Sequence, residues 1–259
     1  VFTFSATSLG FKKFRNMGES EIILLPKPTR KYNFDWMQDV SHLLFPNPCA
    51  VCHTSLHRTE NLLCLQCEKK LPRTHFHRLE ENVVTQKFKV RLPLQHATAF
   101  LDFKKGNAAQ ELLHQLKYDG RQELGLLLGR LFAKDLLTDG YPLSDLIIPL
   151  PLHPEKEKLR GFNQSVVISM GMSEILEIPV DKIALKRLVA NTTQTRKARY
   201  ERWENVSDIF EVVDHDALLG RHIWLIDDVV TTGATLEACG RKLLAAGVRK
   251  LSILTLATA

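Results

Sequence analysis

The stretch that most constrains this chain is Leu225-Ile-Asp-Asp-Val-Val-Thr-Thr-Gly-Ala-Thr235. From His222 to Ile226 the residues are nearly continuously apolar (Ile223, Trp224, Leu225, Ile226), the pattern of a strand buried on both faces. Two carboxylates, Asp227 and Asp228, close the strand, and a turn of small residues follows, from which a helix runs over Ala234 to Ala246. The start of a helix presents unpaired N–H groups and the positive end of the dipole. Thr231, Thr232, Gly233, Ala234 and Thr235 therefore make a phosphate seat, with hydroxyls and approachable backbone. Asp227 and Asp228 repel a phosphate; they suit hydroxyls, or a metal ion, next to it. A ribose 5-phosphate carries one phosphate and a vicinal diol and satisfies both halves. The competing reading is a buried strand that ends in a solvated acidic turn.

The remainder of the chain is compatible with an α/β protein. Its 259 residues, 44% hydrophobic and 25% charged, have ordinary globular composition and suffice for one large domain or a medium domain with a small one. No apolar run reaches the ~18 residues of a membrane helix. The opening Val1-Phe-Thr-Phe-Ser-Ala lacks the basic-then-apolar order of a secretory signal. The expectation is a cytoplasmic protein without membrane insertion; translation from Met17 would make the first sixteen residues an upstream extension. The net charge of +6 lies entirely in residues 1–100, which hold 14 Lys+Arg against 8 Asp+Glu, while the other 159 residues hold 21 of each. A basic front suits nucleic acid or simply a solvated surface.

Along the chain, residues 1–33 read as a poorly ordered arm interrupted by Pro26 and Pro28, and Phe34 to Phe45 as a short helix with Trp36, Val40, Leu43 and Leu44 on one face. Residues 34–95 form a cysteine-bearing module and linker, the part from 68 to 95 with a hairpin in prospect. Residues 96–259 alternate strands and helices: strands at His96–Lys104, Asp145–Leu150, Ile209–Val213, His222–Ile226 and Lys250–Leu256, and helices after Asn107, from Gln122 to Leu137 and from Asn163 to Leu176. That alternation predicts a mostly parallel sheet covered by helices on both faces.

Within the module, Cys49-Ala-Val-Cys52 and Cys64-Leu-Gln-Cys67 are separated by eleven residues. Two thiolates from each pair complete a tetrahedral S₄ site, which favours Zn²⁺ in a structural role, since four thiolates leave no open coordination position. His53 and His57 between the pairs read as surface residues, and Cys239 as a buried thiol.

A further polar stretch joins the strand end Pro149-Leu-Pro-Leu152 to His153-Pro-Glu-Lys-Glu-Lys-Leu-Arg160-Gly-Phe-Asn-Gln164. Loops after strand ends are where open α/β sheets place ligands. The acid pair with its loop resembles the 5-phosphoribosyl-1-pyrophosphate (PRPP) motif of the type I phosphoribosyltransferases. Together with Arg160-Gly-Phe-Asn-Gln164, Leu116-Lys-Tyr-Asp-Gly120, Thr193-Gln194 followed by Arg199, Asn205 and Phe210, and the cysteine pairs, it resembles the ComF family of competence proteins over roughly residues 40–259. The resemblance implies a type I phosphoribosyltransferase core with a zinc module and action on incoming single-stranded DNA in natural transformation beside a helicase-like partner. It implies Asp227 and Asp228 on the ribose hydroxyls with Mg²⁺ nearby, Thr231 to Thr235 on the 5-phosphate, and Lys117, His153 and Arg160 on the pyrophosphate side. The segment Thr193 to Arg202 would be a mobile cover or an ordinary surface loop. No motif names an acceptor base, so three readings stand: a ComF-type PRPP-binding protein with enzymatic potential, a salvage phosphoribosyltransferase on a free base, and a non-catalytic PRPP-sensing or DNA-binding module. The absence of G-x-x-x-x-G-K-[ST] argues against an ATPase motor.

Overall fold

The computed structural model describes residues 47–188 and 209–259. The arm over residues 1–33, the helix expected from Phe34 to Phe45 and the segment Thr193 to Arg202 lie outside them. Among the described residues, four strands form one sheet in the order β1 (His96–Asp102), β6 (Lys250–Thr258), β5 (His222–Val230) and β2 (Leu146–Pro149). Every pairing in it is parallel. A second, two-stranded antiparallel sheet is formed by β3 (Leu185–Arg187) and β4 (Phe210–Val212).

Side chains along the central strands alternate between two cores. On β5, Trp224 and Ile226 enter one and Ile223 and Leu225 the other; on β6, Leu254 and Leu256 oppose Leu251 and Ile253. That is the period of two that a strand imposes, with both faces buried. The first core is roofed by helices α3 (Ala108–Tyr118), α4 (Gln122–Thr138) and α6 (Gln164–Leu176), which contribute Leu112, Leu116, Leu128, Phe132, Ile168 and Met172. Helix α3 starts at Asn107, whose side chain accepts from the Gln110 N–H at 3.1 Å. Helices α4 and α6 cross through a pair of glycines: a Cβ on Gly129 would collide with the Ile168 carbonyl, and one on Gly171 with that of Leu126. The second core is closed by α2 (Val83–Phe88) and α7 (Ala234–Ala245) through Val84, Phe88, Leu236 and Leu243, and by Leu185, Phe210 and Val212 of the small antiparallel pair.

Three expectations change. The stretch 68–95 holds no hairpin; it holds the end of a short helix α1 (Leu65–Lys69), one 3₁₀ turn at Phe76–Arg78, and α2. Asn82 nucleates α2 with a reciprocal capping box, its side chain accepting from the Thr85 N–H while its own N–H donates to Thr85 Oγ1. The charged run after His153 is a helix, α5 (Pro154–Arg160), rather than a loop: Pro154 begins it and Gly161, at φ +80°, ends it. Finally, β5 runs on to Val230, so the acid pair lies inside the strand. Asp227 pairs in register with Thr255 and Val229 with Ala257, so β6 continues the ladder past the carboxylates.

The cysteine module is not separate from the first core. Cys49, Ala50, Leu63 and Leu71 pack in the same cluster as Phe100 and Leu116. The buried Gln115 of α3 donates to the Ala50 carbonyl at 2.7 Å. No helix among the described residues is long and apolar enough to cross a membrane.

Candidate functional site

All four strands of the sheet run the same way, so their carboxyl ends share one edge, and the segments after β2 and β5 meet there. Asp227 and Asp228 are the sixth and seventh of the nine residues of β5, and their side chains take different partners. Asp227 Oδ1 accepts from Ser165 Oγ at 3.1 Å and from the Asp228 N–H at 2.8 Å. Asp228 Oδ2 pairs with Lys117 Nζ at 2.9 Å. Burial, then the charge of Asp228, pushes Asp227 up to about 7. The two carboxylates are therefore inequivalent: one is charge-compensated by an ammonium, the other holds a proton near neutrality.

Each partner is fixed by its own local structure. Ser165 stands in the first turn of α6, and its N–H donates to the capping Asn163 Oδ1 at 3.0 Å. Asn163 in turn donates from Nδ2 to the Leu150 carbonyl at 2.9 Å, just past the end of β2. The order Arg160-Gly-Phe-Asn-Gln-Ser165 thus ties the end of one strand, the start of a helix and the first acid of the neighbouring strand into one chain of contacts. Arg160 ends α5 and donates from Nη1 to Gln164 Oε1 at 2.7 Å. Its guanidinium lies 5.8 Å from the centre of the Tyr118 ring. Lys117 and Tyr118 are the last two residues of α3. Of the pyrophosphate-side candidates, Lys117 comes onto the acid pair and Arg160 onto its rim. His153 is placed locally, capping α5 with Nδ1 accepting from the Glu155 N–H at 3.2 Å.

The phosphate-seat residues follow β5 directly. Gly233 takes φ +80°, a conformation open to glycine at no steric cost, and α7 begins at the next residue. Thr231, Thr232 and Ala234 are exposed and Gly233 is buried. The loop rests on α2: a Cβ on Gly233 would come within 2.7 Å of the Phe88 ring. Lys87 Nζ donates to the Thr231 carbonyl at 2.6 Å, and Arg91 donates to the Thr232 carbonyl at 3.3 Å while pairing with Glu237 of α7 at 3.3 Å. These cations hold carbonyls of the loop, and within it the Ala234 N–H, first of a twelve-residue helix, donates to Thr232 Oγ1 at 3.4 Å. Lys87, Phe88, Arg91 and Ser165 were not read from the sequence. Ser165 directly follows a motif that was, and its neighbour Asn163 was the clue available. The other three lie in Lys87-Phe-Lys-Val-Arg91, whose polar–apolar alternation is a strand's period and points away from the helix end found there.

The four cysteines converge, their sulfurs all within 4.8 Å of one another. Cys52 and Cys64 sulfurs stand 3.7 Å apart. That matches the edge of about 3.8 Å expected for an S₄ tetrahedron with metal–sulfur bonds of about 2.3 Å. Backbone N–H groups already point at the sulfurs, from Cys64 to Cys49 Sγ at 3.3 Å and from Cys67 to Cys64 Sγ at 3.4 Å. Hydrogen bonding to Thr54 lowers the Cys52 thiol to about 6, while burial pushes Cys67 up. This donor set could hold a metal ion, and His53 and His57 are exposed outside it. His75, His77 and Asp139 also lie within 4.8 Å of one another. There the Arg78 guanidinium already grips both carboxylate oxygens at 2.7 and 3.0 Å and, with His77, lowers Asp139 to about 2, so the cation at that cluster is a side chain.

The chain is 34% identical over 209 residues to the DNA utilization protein YhgH of Shigella flexneri, an alignment covering 79% of this chain and 87% of that protein. It is 34% identical over 102 residues, 39% of each chain, to the competence protein ComFC of Bacillus subtilis. The chain belongs to the ComF family. No family model matches the sequence. Among solved structures, the glutamine PRPP amidotransferase of Bacillus subtilis complexed with ADP and GMP aligns with this ComF protein over 55% of the chain and 30% of its own length, at 16% identity and a TM-score of 0.40. In the ComF protein described here, the acid pair, the loop after it and the Arg160–Ser165 segment form one continuous edge of the sheet, and the cysteine cluster stands behind it across α3.

Proposed function

We propose that this ComF-family protein binds PRPP with Mg²⁺ and acts in the cytoplasmic handling of single-stranded DNA during natural transformation. The observation that carries the ligand is the joint geometry of β5 and α7: two carboxylates held by Ser165 and Lys117, followed by a left-handed Gly233 at the start of a helix. Asp227 and Asp228 would take the ribose hydroxyls, and the hydroxyls and N–H groups of Thr231 to Thr235 the 5-phosphate. Lys117 and Arg160 would face the pyrophosphate, with His153 as a further candidate on that side. Lys117 is engaged with Asp228. Ribose hydroxyls arriving at Asp228 would replace that contact and free the ammonium for the leaving group. The hard oxygen donors of the two acids suit Mg²⁺, which supplies charge neutralisation for the pyrophosphate when bound. In the reaction, the C1–O bond breaks with its electron pair leaving on pyrophosphate, and an acceptor's lone pair closes on C1 with loss of a proton. Charge grows on the leaving oxygen as that bond stretches, and fixed cations there favour the transition state over the ground state.

The cysteine set is proposed to hold Zn²⁺ structurally. The DNA role is supported by the relatives' names and by the basic front of the chain. A three-part division, with an arm over 1–33, a zinc module and linker over 34–95 and a phosphoribosyltransferase-like domain over 96–259, remains the proposed organisation. Calorimetric titration of the wild type and of Asp227→Asn with Asp228→Asn, using PRPP and Mg²⁺, tests the ligand. The double variant should lose binding; equal heats in the two proteins would sink the proposal.

A further inference from the structure

We infer that Tyr118 is a stacking platform for a heterocyclic base lying beside the acid pair, an inference that rests on the phosphoribosyl reading above. The residue closes α3 immediately after Lys117, whose ammonium is 2.9 Å from Asp228. The helix buries Leu112, Leu113 and Leu116 fully, yet leaves 67% of Tyr118 exposed. Leaving such a ring in water forgoes the burial that the rest of the helix obtains. Two planar groups steady it: the His114 ring one turn earlier, with centroids 4.9 Å apart, and the Arg160 guanidinium at 5.8 Å. Arg160 is itself held by Gln164, the neighbour of Ser165, which touches Asp227. Ring, guanidinium and acid pair are thus one connected rim.

A ribose whose hydroxyls rest on Asp227 and Asp228 carries at C1 either a pyrophosphate or a base. The rim offers a cation for the first and, for the second, an aromatic ring that is 67% exposed. Stacking on such a face tolerates any base, because every base has a π-surface. This fits a site whose sequence names no particular purine or pyrimidine. The ligand class is therefore a base on a ribose phosphate, either as a mononucleotide or as a unit of a single strand.

The test compares ribose 5-phosphate with AMP and UMP by calorimetric titration, because those ligands share the sugar phosphate and differ in the base. The wild type should prefer either nucleotide over ribose 5-phosphate by at least about five-fold. Tyr118→Leu should bring that ratio close to one, and Tyr118→Phe should restore it. An oligo-dT titration of the same three proteins distinguishes the sources: sensitivity to Tyr118→Leu there shows the platform taking bases within a strand, and sensitivity confined to the mononucleotides shows it taking them free. If ribose 5-phosphate binds but the ratio is near one in the wild type, or survives in Tyr118→Leu, the platform is overturned while the phosphoribosyl reading stands. If neither ribose 5-phosphate nor the nucleotides bind, the phosphoribosyl reading falls and the platform with it.

Discussion

The cysteine cluster and the acid-pair site are built in opposite ways. All four sulfurs come from residues 49–67, and the hydrogen bonds that aim them run from the cysteines' own backbone N–H groups to their sulfurs. The acid pair needs α3 for Lys117 and α6 for Ser165, and the loop after it needs α2 for Lys87 and Phe88 and the turn beyond α2 for Arg91. One site is closed by a short piece of chain, the other by four elements brought together by the sheet. The two meet through α3: Cys49, Ala50, Leu63 and Leu71 pack in one cluster with Leu116, and the buried Gln115 donates to the Ala50 carbonyl. A locally closed site should fail as a unit when a ligand is removed, whereas an assembled one should fail by degrees.

The largest expected effect is on the local site. Replacing Cys49 and Cys64 by serine should abolish metal retention and melt the module, because apparent zinc affinities of about 10–16 kcal/mol in small cysteine sites are coupled to folding. Metal analysis beside thermal unfolding checks this, and full metal content in the doubly substituted protein would reject the four-cysteine assignment. The same variant should weaken ligand binding at the acid pair more than Gln115→Ala does, since it removes the whole brace behind α3 rather than one bond.

Gly233→Val comes next. It puts a β-branched side chain at φ +80° and drives it toward the Phe88 ring at 2.7 Å. A loss of about 2–4 kcal/mol is expected from the left-handed strain and the clash together. Phe88 is itself fully buried, so the clash is read as a double-mutant cycle: Gly233→Val should cost less in a Phe88→Ala background than in the wild type. Equal costs in the two backgrounds would show that the Phe88 ring does not bear on the loop.

The acid pair also gives the assembled site a pH signature. Asp227 titrates near 3.8 when unfolded and near 7 when folded. A raised folded value means that the native state holds the proton more tightly. Its contribution is therefore favourable at low pH, shrinks as pH rises from about 4, and levels off above about 7. Asp227→Asn removes that decline. Without ligand or divalent ions, the variant's melting temperature should gain on the wild type between pH 5 and pH 8; parallel curves would remove the buried-acid account. The smallest effect is expected from Lys87→Met, whose contact with Thr231 is exposed. It should cost below about 1 kcal/mol in stability and a few-fold in PRPP affinity, read by the same titration.

Several parts of this molecule were legible in the residues because one local rule governs each. The apolar runs in β5 and β6 could only be strands buried on both sides, and Asn107 before an apolar-periodic run marked the start of α3. The elements that escaped are short. Helices of five, six and seven residues, as in α1, α2 and α5, span less than two turns, so no stripe of period 3.6 can establish itself. Helix α5 is charged or exposed along its length, with Leu159 86% exposed, so its pattern matches that of a loop. The acid pair looked like the end of a strand because carboxylates rarely sit in a buried ladder. The pairing with β6 overrides that rule, and burial raises Asp227 as the consequence.

By itself the sequence determined which chemistry is carried where: four thiols at matched spacing, an acid pair before a small-residue turn, and a strand–helix alternation that demands a parallel sheet. Those follow from neighbours a few residues apart, and the polypeptide's own geometry reads them out. Tertiary structure alone decided which side chains complete the site: Lys117 on Asp228, Ser165 on Asp227, and Phe88 beneath Gly233. These partners are separated from their targets by between 62 and 145 positions in the chain. Contacts at that distance are set by how the layers pack, because burying both faces of the sheet is what brings α2, α3 and α6 to the carboxyl edge of β5.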